Sequence, residues 1–316
     1  MVDTLLSQGR KTETKKRHPK IEDYSHTFRL LLKNRVAMVG MIVTFIYFAI
    51  AFLDVVYPQY LGVSNINTLL SFREPTAVTP LAPSLSNGWY NLLGNTEFFS
   101  SQFPLLPICL ASLKFDLGYS IFIVAIGATV GTILGSIAGF KGGYPDEVLM
   151  RITDVFYSIP FLILALAFIF LLGRYIEYAV YALIIIWWPI YARLARGQAL
   201  YIKSMKFVEA ATASGASTMR NVFSHVLPNV LSPVFVQISL DLGSIMQLFA
   251  VLFFLGVISD PYFPELGNII NQGQSWLAVG VWWPIVIPGI FILLFTISVN
   301  LLGDGLRDVL DPKLRR

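Results

Sequence analysis

The sequence predicts an all-α polytopic membrane protein with six transmembrane helices, and three observations predict it. Of its 316 residues 55% are hydrophobic and only 13% charged, with mean hydropathy +0.67, an apolar surplus that no soluble domain of this length needs. The apolar residues gather into six stretches close to the roughly 20 residues that cross a bilayer. Basic residues flank those stretches instead of forming one face, so the net charge of +4 is no footprint for nucleic acid.

Taken in order, residues 1–35 are a polar, basic cytoplasmic tail ending in an interfacial helix over 21–35. There Phe28, Leu31 and Leu32 would face acyl chains while Arg29, Lys33 and Arg35 reach for phosphates. The polar lead and the lack of a small-residue cleavage pattern read as a retained anchor, not a cleaved signal. The expected spans are Val36 to Val56, Leu117 to Phe140, Val155 to Gly173, Tyr178 to Tyr191 extended to Leu194, Val230 to Val257, and Trp282 to Leu302. The organisation is then 1–35 tail, 36–57 first transmembrane helix, 58–116 external loop, 117–302 membrane core including a cytoplasmic loop 193–228, and 303–316 tail. Prolines 58, 75, 80, 83, 104 and 107 exclude a long regular element from most of the external loop, and Asp260 to Ser275 is a second, smaller one. Lys141 to Glu147 reverses the chain through Gly142 and Gly143, with Pro145 in the first helical turn and Asp146 and Glu147 complementing the helix dipole.

Charge sets the orientation. With the N-terminus inside, all Lys and Arg fall in cytoplasmic segments except Arg73, Lys114 and Arg174, and the opposite orientation inverts the ratio. A lone Cys109 leaves no internal disulfide or cysteine zinc site, and three scattered histidines have no metal spacing. A Gly-x-x-x-x-Gly-Lys-Ser/Thr phosphate loop is missing, as are a Ser/His/Asp set and paired carboxylates, so the chain is not expected to be an enzyme.

Between the fourth and fifth spans lies the one long polar interruption. Tyr201 to Ser214 reads as a helix ended by Gly215. Ser217 caps a second helix with Met219, Val222, Phe223, Val226 and Leu227 on an apolar face and Arg220, Asn221, Ser224 and His225 opposite, closed by Pro228. The small residues Ala210, Ala211, Ala213, Ser214 and Ala216 at the corner would let another protein approach closely.

Glu209-Ala210-Ala211, then Gly215 and Ala216, then Leu227-Pro228 resembles the cytoplasmic coupling loop of ATP-binding-cassette (ABC) importer permeases. Gly142-Gly143, Asp146-Glu147, Met150-Arg151 and Asp154, with Trp188-Pro189, Tyr191-Ala192-Arg193, Arg196-Gly197-Gln198 and the tail Asn300 to Asp308, resemble the dipeptide/oligopeptide permease C-type subunits. The external loop departs from that family's pattern, with Gly94-Asn95-Thr96 followed by an apolar Phe98 to Leu113. The resemblance implies a type I importer permease fold with cytoplasmic coupling helices. It further implies a second, different permease chain, two ABC ATPase subunits that carry ATP and Mg, and an extracellular solute-binding protein, the chain itself holding no cofactor or metal. The same resemblance implies a place in a prokaryotic plasma membrane and a pathway for di- or oligopeptides, with oligosaccharides or metal chelates as alternative cargo. An ion-driven secondary transporter or channel is the rival from another class, and an accessory scaffold a third.

Two readings stay open at each candidate residue. Glu209 is either an ordinary solvated glutamate or a coupling group accepting donors from an ATPase groove. Asp241 is the one carboxylate placed deep in a span, where it costs about 2.5 to 3.5 kcal/mol. With Gln237, Ser244 and Gln247 it makes a polar stripe at helical spacing, either lining a translocation path or bonding a neighbouring helix. Arg151 and Asp154 read most simply as an ion pair with Arg151 snorkelling, and Asp304, Arg307, Asp308 and Asp311 as a salt-bridged cytoplasmic face, with contact to an ATPase as the functional option.

Overall fold

The structure is a computed structural model that describes residues 31, 34–56, 79–84, 91–98, 101–260 and 263–310. The basic tail, most of the interfacial helix, much of the external loop and residues 311–316 lie outside the described residues.

Its elements are α1 (Arg35–Val56), β1 (Asn95–Phe98), β2 (Ser101–Pro104), α2 (Leu105–Lys141), α3 (Tyr144–Tyr157), α4 (Phe161–Leu172), α5 (Ile176–Lys203), α6 (Lys206–Ala213), α7 (Thr218–Phe254), α8 (Leu266–Leu277) and α9 (Trp283–Leu310). Five helices are long and apolar enough to cross a membrane: α1, α2, α5, α7 and α9. α3 and α4 make a sixth span only when taken together, bent by 90°.

The closest packing is between α2 and α5. Gly131, Gly135 and Gly139 form a stripe on α2, and a Cβ on any of them would collide with the α5 backbone at Trp188, Ala192 or Arg196. Ala192, Ala195 and Ala199 are fully buried on the α5 side. Small residues on both helices bring the backbones together, the arrangement that gives membrane helices their dispersion contacts where water supplies no driving force.

Two buried clusters result. One joins α2, α4, α5, α6 and α7 around Ile123, Leu183, Tyr191, Val208, Val226 and Phe249. The other joins α1, the hairpin, α2, α8 and α9 around Tyr47, Leu105, Ile108, Phe295 and Val299. Across the second, Thr44 Oγ1 donates to Ser298 Oγ at 3.0 Å and the Tyr47 hydroxyl to the Phe291 carbonyl at 2.8 Å.

Several boundaries differ from expectation. α2 starts at Leu105, twelve residues ahead of the expected span, because Pro107 falls in its first turn, where a missing N–H is tolerated. Ahead of it, residues read as irregular form an antiparallel hairpin pairing Asn95 with Pro104 and Phe98 with Ser101. The hairpin is pinned by Trp283, whose indole donates to the Asn95 carbonyl at 2.9 Å, and by Trp276, whose indole donates to Glu97 Oε2 at 2.7 Å. The second external loop contains α8, capped by Glu265, which accepts from the Asn268 N–H at 2.8 Å. α9 runs on to Leu310, into the expected tail.

The third span is not one helix. The Ser158 hydroxyl bonds back to the Val155 carbonyl at 2.7 Å, and Pro160 disfavours helical geometry in the residue before it. The chain turns there and restarts as α4. The Arg151–Asp154 pair is loose, at 4.0 Å with both side chains exposed; the close partner of Asp154 is Arg193, at 2.8 Å. Asp304, Arg307 and Asp308 are exposed and form no ion pair among the described residues.

Candidate coupling site

α5 is a single rod from Ile176 to Lys203, running through Pro189 and well past the expected membrane limit at Leu194. Arg193 and Arg196, expected in a loop, therefore sit on a helix. The rod stops where the Ser204 hydroxyl bonds the Tyr201 carbonyl at 2.8 Å, competing with the ladder. Met205 is extended, and α6 begins at Lys206. The helix expected over Tyr201 to Ser214 is thus two helices with a corner at 204–205.

The end of α6 explains its small residues. Gly215 has φ +86°, a conformation that strains any other residue. Its N–H bonds the Thr212 carbonyl and the Ala216 N–H bonds the Ala211 carbonyl, each at 3.0 Å. These two bonds satisfy carbonyls the helix end would otherwise leave bare, and Ala216 comes back over Ala211. Ser217 then opens α7 as expected, its hydroxyl accepting from the Arg220 N–H at 3.3 Å.

The second helix departs from its expected face. Val222 and Val226 are buried, but Met219 and Phe223 are exposed and Asn221, expected outward, is buried. Asn221 donates to Thr212 Oγ1 at 3.0 Å, closing the corner between α6 and α7. Phe207 meets the His225 ring edge-on at 6.0 Å. Pro228 does not end the helix. Val222–Val226 form a wide π turn in which the Leu227 N–H reaches the Val222 carbonyl, and this makes room for the proline ring, so α7 continues to Phe254. Periodicity expected for an isolated amphipathic helix misplaced Asn221 because a hydroxyl on α6 draws it inward.

Val208 is buried in the larger cluster while Glu209 and Ala210 are exposed, and Ala211 and Ala216 are half-buried. The corner is thus anchored from beneath and bare on top. Glu209 joins no ion pair among the described residues. Leu227 is half-buried and Pro228 exposed at the foot of α7.

Asp241 is 4% exposed, with Oδ1 accepting from Gln237 Nε2 at 2.9 Å. The Tyr191 hydroxyl and the Trp187 indole of α5 face it, yet neither they nor Asp241 Oδ2 reach close hydrogen-bond geometry. Ser244 is exposed and bonds back to the Leu240 carbonyl. Asp241 is not the sole buried carboxylate of the spans: Asp54 pairs with Lys114 at 2.8 Å, and Asp116 lies buried beside Glu265. Asp54 lies two residues from the end of α1, and Asp116 lies inside α2 just ahead of Leu117, where the span was expected to begin, so the sequence reading left it in the external loop.

No group of three or more His, Cys, Asp or Glu side chains among the described residues could hold a metal ion. An apolar helical bundle whose long rod continues into an exposed corner of small residues defines the class of a multi-pass membrane subunit. Residues 131–316 match the family described as binding-protein-dependent transport system inner membrane component, and the chain belongs to that family.

It is 40% identical over 244 residues to the probable D,D-dipeptide transport system permease protein DdpC of Escherichia coli, covering 77% of this chain and 80% of that protein. It is 30% identical to the dipeptide transport system permease protein DppC of Haemophilus influenzae over the whole length of both. The glutathione transport system permease protein GsiD of Pectobacterium atrosepticum is 37% identical over 65% of this chain and 68% of its own. Among solved structures, an inward-facing MetNI methionine ABC transporter chain matches with TM-score 0.52 and 22% identity, over 65% of this chain and 98% of its own; that likeness bears on the fold. The chain is a multi-pass permease subunit of an ABC importer, and the ion-driven alternative falls away.

Proposed function

We propose that this subunit, paired with a second and related permease chain, forms the membrane pathway of a di- or oligopeptide importer. Two ATPase subunits carrying ATP and Mg dock at the coupling loops of the two permease chains, this chain offering its Glu209 corner, and an external solute-binding protein delivers the cargo. N- and C-termini are cytoplasmic, as the distribution of basic residues favours. The observation that carries this reading is the corner itself, with Glu209, Ala210, Ala211, Gly215 and Ala216 held rigid and bare at the end of the α5 rod. Peptide cargo is favoured by the names of the relatives, two of them dipeptide permeases and one a glutathione permease.

The mechanism follows from rigidity. A closing ATPase pair pushes on the corner, Leu227 and Pro228 carry the push into α7 and Met205 carries it into α5, and the spans tilt between outward and inward access. Gln237, Asp241 and Ser244 line part of the route on α7. The test is purification of the assembly followed by uptake of labelled dipeptides, an oligosaccharide and a metal chelate into vesicles. Co-purifying ATPase subunits and ATP-dependent dipeptide uptake support the reading; their absence removes it, and uptake of a different cargo corrects the substrate.

A further inference from the structure

Two ion pairs outside the docking corner join α3 to α5. Arg196 grips Asp146 with both arms, Nε to Oδ1 at 2.6 Å and Nη2 to Oδ2 at 2.8 Å. One turn earlier, Arg193 Nη2 bonds Asp154 Oδ1 at 2.8 Å, and its guanidinium lies over the Tyr157 ring, 4.1 Å from the centroid. Asp146 and Asp154 are about 12 Å apart along α3, whereas the two arginines are about 4.5 Å apart along α5. α3 is therefore slung across the rod and gathered to it at both ends. Bidentate Arg–carboxylate geometry is the strongest form such a contact takes.

What lies beyond the second tie is the elbow at 158–160, where the chain bends by 90° into α4. Aromatic rings pack the elbow onto the same rod: Phe156 against Trp188 at 5.9 Å and Phe161 against Trp187 at 5.6 Å. The C-terminal end of that rod leads through Ser204 and Met205 into α6, which carries the docking corner.

We propose that Arg193 and Arg196 are positioning residues that make α3 move as one body with α5, so that a push on the docking corner is delivered to the elbow at 158–160. This rests on the reading of the corner as the ATPase contact. The Arg196–Asp146 tie is partly shielded from solvent, the Arg193–Asp154 tie is more exposed, and both leave from one short stretch of α5.

Two measurements on the complete reconstituted transporter test it. In the first, spin labels at Glu147→Cys and Leu200→Cys report the α3–α5 separation in nucleotide-free and ATP-trapped states. The separation is expected to stay the same; a nucleotide-dependent change overturns the proposal without any tie being mutated. In the second, Arg196→Lys and Asp146→Asn keep the fold but lose the fork. Peptide taken up per ATP hydrolysed is expected to fall about five- to ten-fold, with ATPase co-purification and melting temperature near wild type. The swap Asp146→Arg with Arg196→Asp is expected to restore at least part of the ratio. An unchanged ratio in the single variants, or a loss that only tracks loss of assembly, overturns the proposal. Failure of ATPase subunits to co-purify with the wild-type chain instead overturns the docking reading on which it rests.

Discussion

Asn221 and Thr212 stand nine residues apart in sequence and meet side chain to side chain at 3.0 Å, making the corner between α6 and α7 a closed unit. Thr212 also donates to the Val208 carbonyl at 2.8 Å, so its hydroxyl is used in both senses. Asn221→Ala removes the tie and should cost about 1 kcal/mol locally. Uptake per ATP is expected to fall a few-fold, by about the amount that other coupling-network changes produce, while Thr212→Ser, which keeps the hydroxyl, leaves it near wild type. Reconstituted vesicles with simultaneous phosphate and uptake readings decide it.

Glu209→Ala is expected to leave the assembly intact and to separate ATP hydrolysis from uptake, because the exposed carboxylate does nothing for the chain's own packing. Normal uptake by this variant would return Glu209 to the status of a solvated surface charge.

The glycine stripe gives an internally controlled stability prediction. Gly135→Ala sets a methyl group against the Ala192 backbone carbonyl, which cannot rotate away. A loss of about 1–3 kcal/mol is expected, as for other overpacked sites. Gly118→Ala, on the same helix with open space around it, should be neutral or slightly stabilising, since alanine suits a helix better. Thermal unfolding of the purified complex measures both.

Glu265 predicts a pH dependence. Burial pushes its carboxyl up to about 7, against the Gly267 and Asn268 N–H groups and the Asp116 carboxyl, which pull the other way. A group whose folded pKa is raised binds its proton more tightly when folded, so its contribution is complete below the ordinary 4.5 and is lost as pH climbs through about 7. The melting temperature is therefore expected to fall by a few degrees as pH rises from about 5 to 8. Glu265→Gln, which can still cap α8, should flatten that slope; an equal slope in the variant refutes the assignment.

Cys109, which the sequence places in the external loop, is fully buried by apolar packing in α2. It should stay unlabelled until the protein is denatured. Met219→Cys, exposed at the start of α7, then becomes a clean reporter of orientation: labelling only after permeabilisation is expected, and labelling of intact cells reverses the proposed topology.

The parts of this molecule readable in advance were those whose cause is local. Gly215 announces a left-handed helix end and Ser217 a cap by their own chemistry, and the long apolar stretches announce spans by length alone. The rest depended on distant partners. Arg193 and Arg196 look like loop charges until Asp154 and Asp146, some forty and fifty residues away, are brought to them. Pro228 looks like a helix end because the wide turn that accommodates it leaves no mark in the residues 222–226. The strong apolarity of 155–173 concealed the bend, with Ser158 and Pro160 its two signals. Asn221 was placed outward by periodicity and turned inward by a hydroxyl on another helix.

The bend at 158–160 has a consequence for the surroundings of the protein. α3 and α4 have 14 and 12 residues, about 21 and 18 Å of helix, against a hydrocarbon layer of about 30 Å. Neither crosses alone, and where the two together make one span the irregular backbone between them meets acyl chains that offer nothing to a carbonyl or an N–H. The flank on which Tyr157, Ser158, Ile159 and Pro160 lie open must therefore be wetted or covered by another polypeptide.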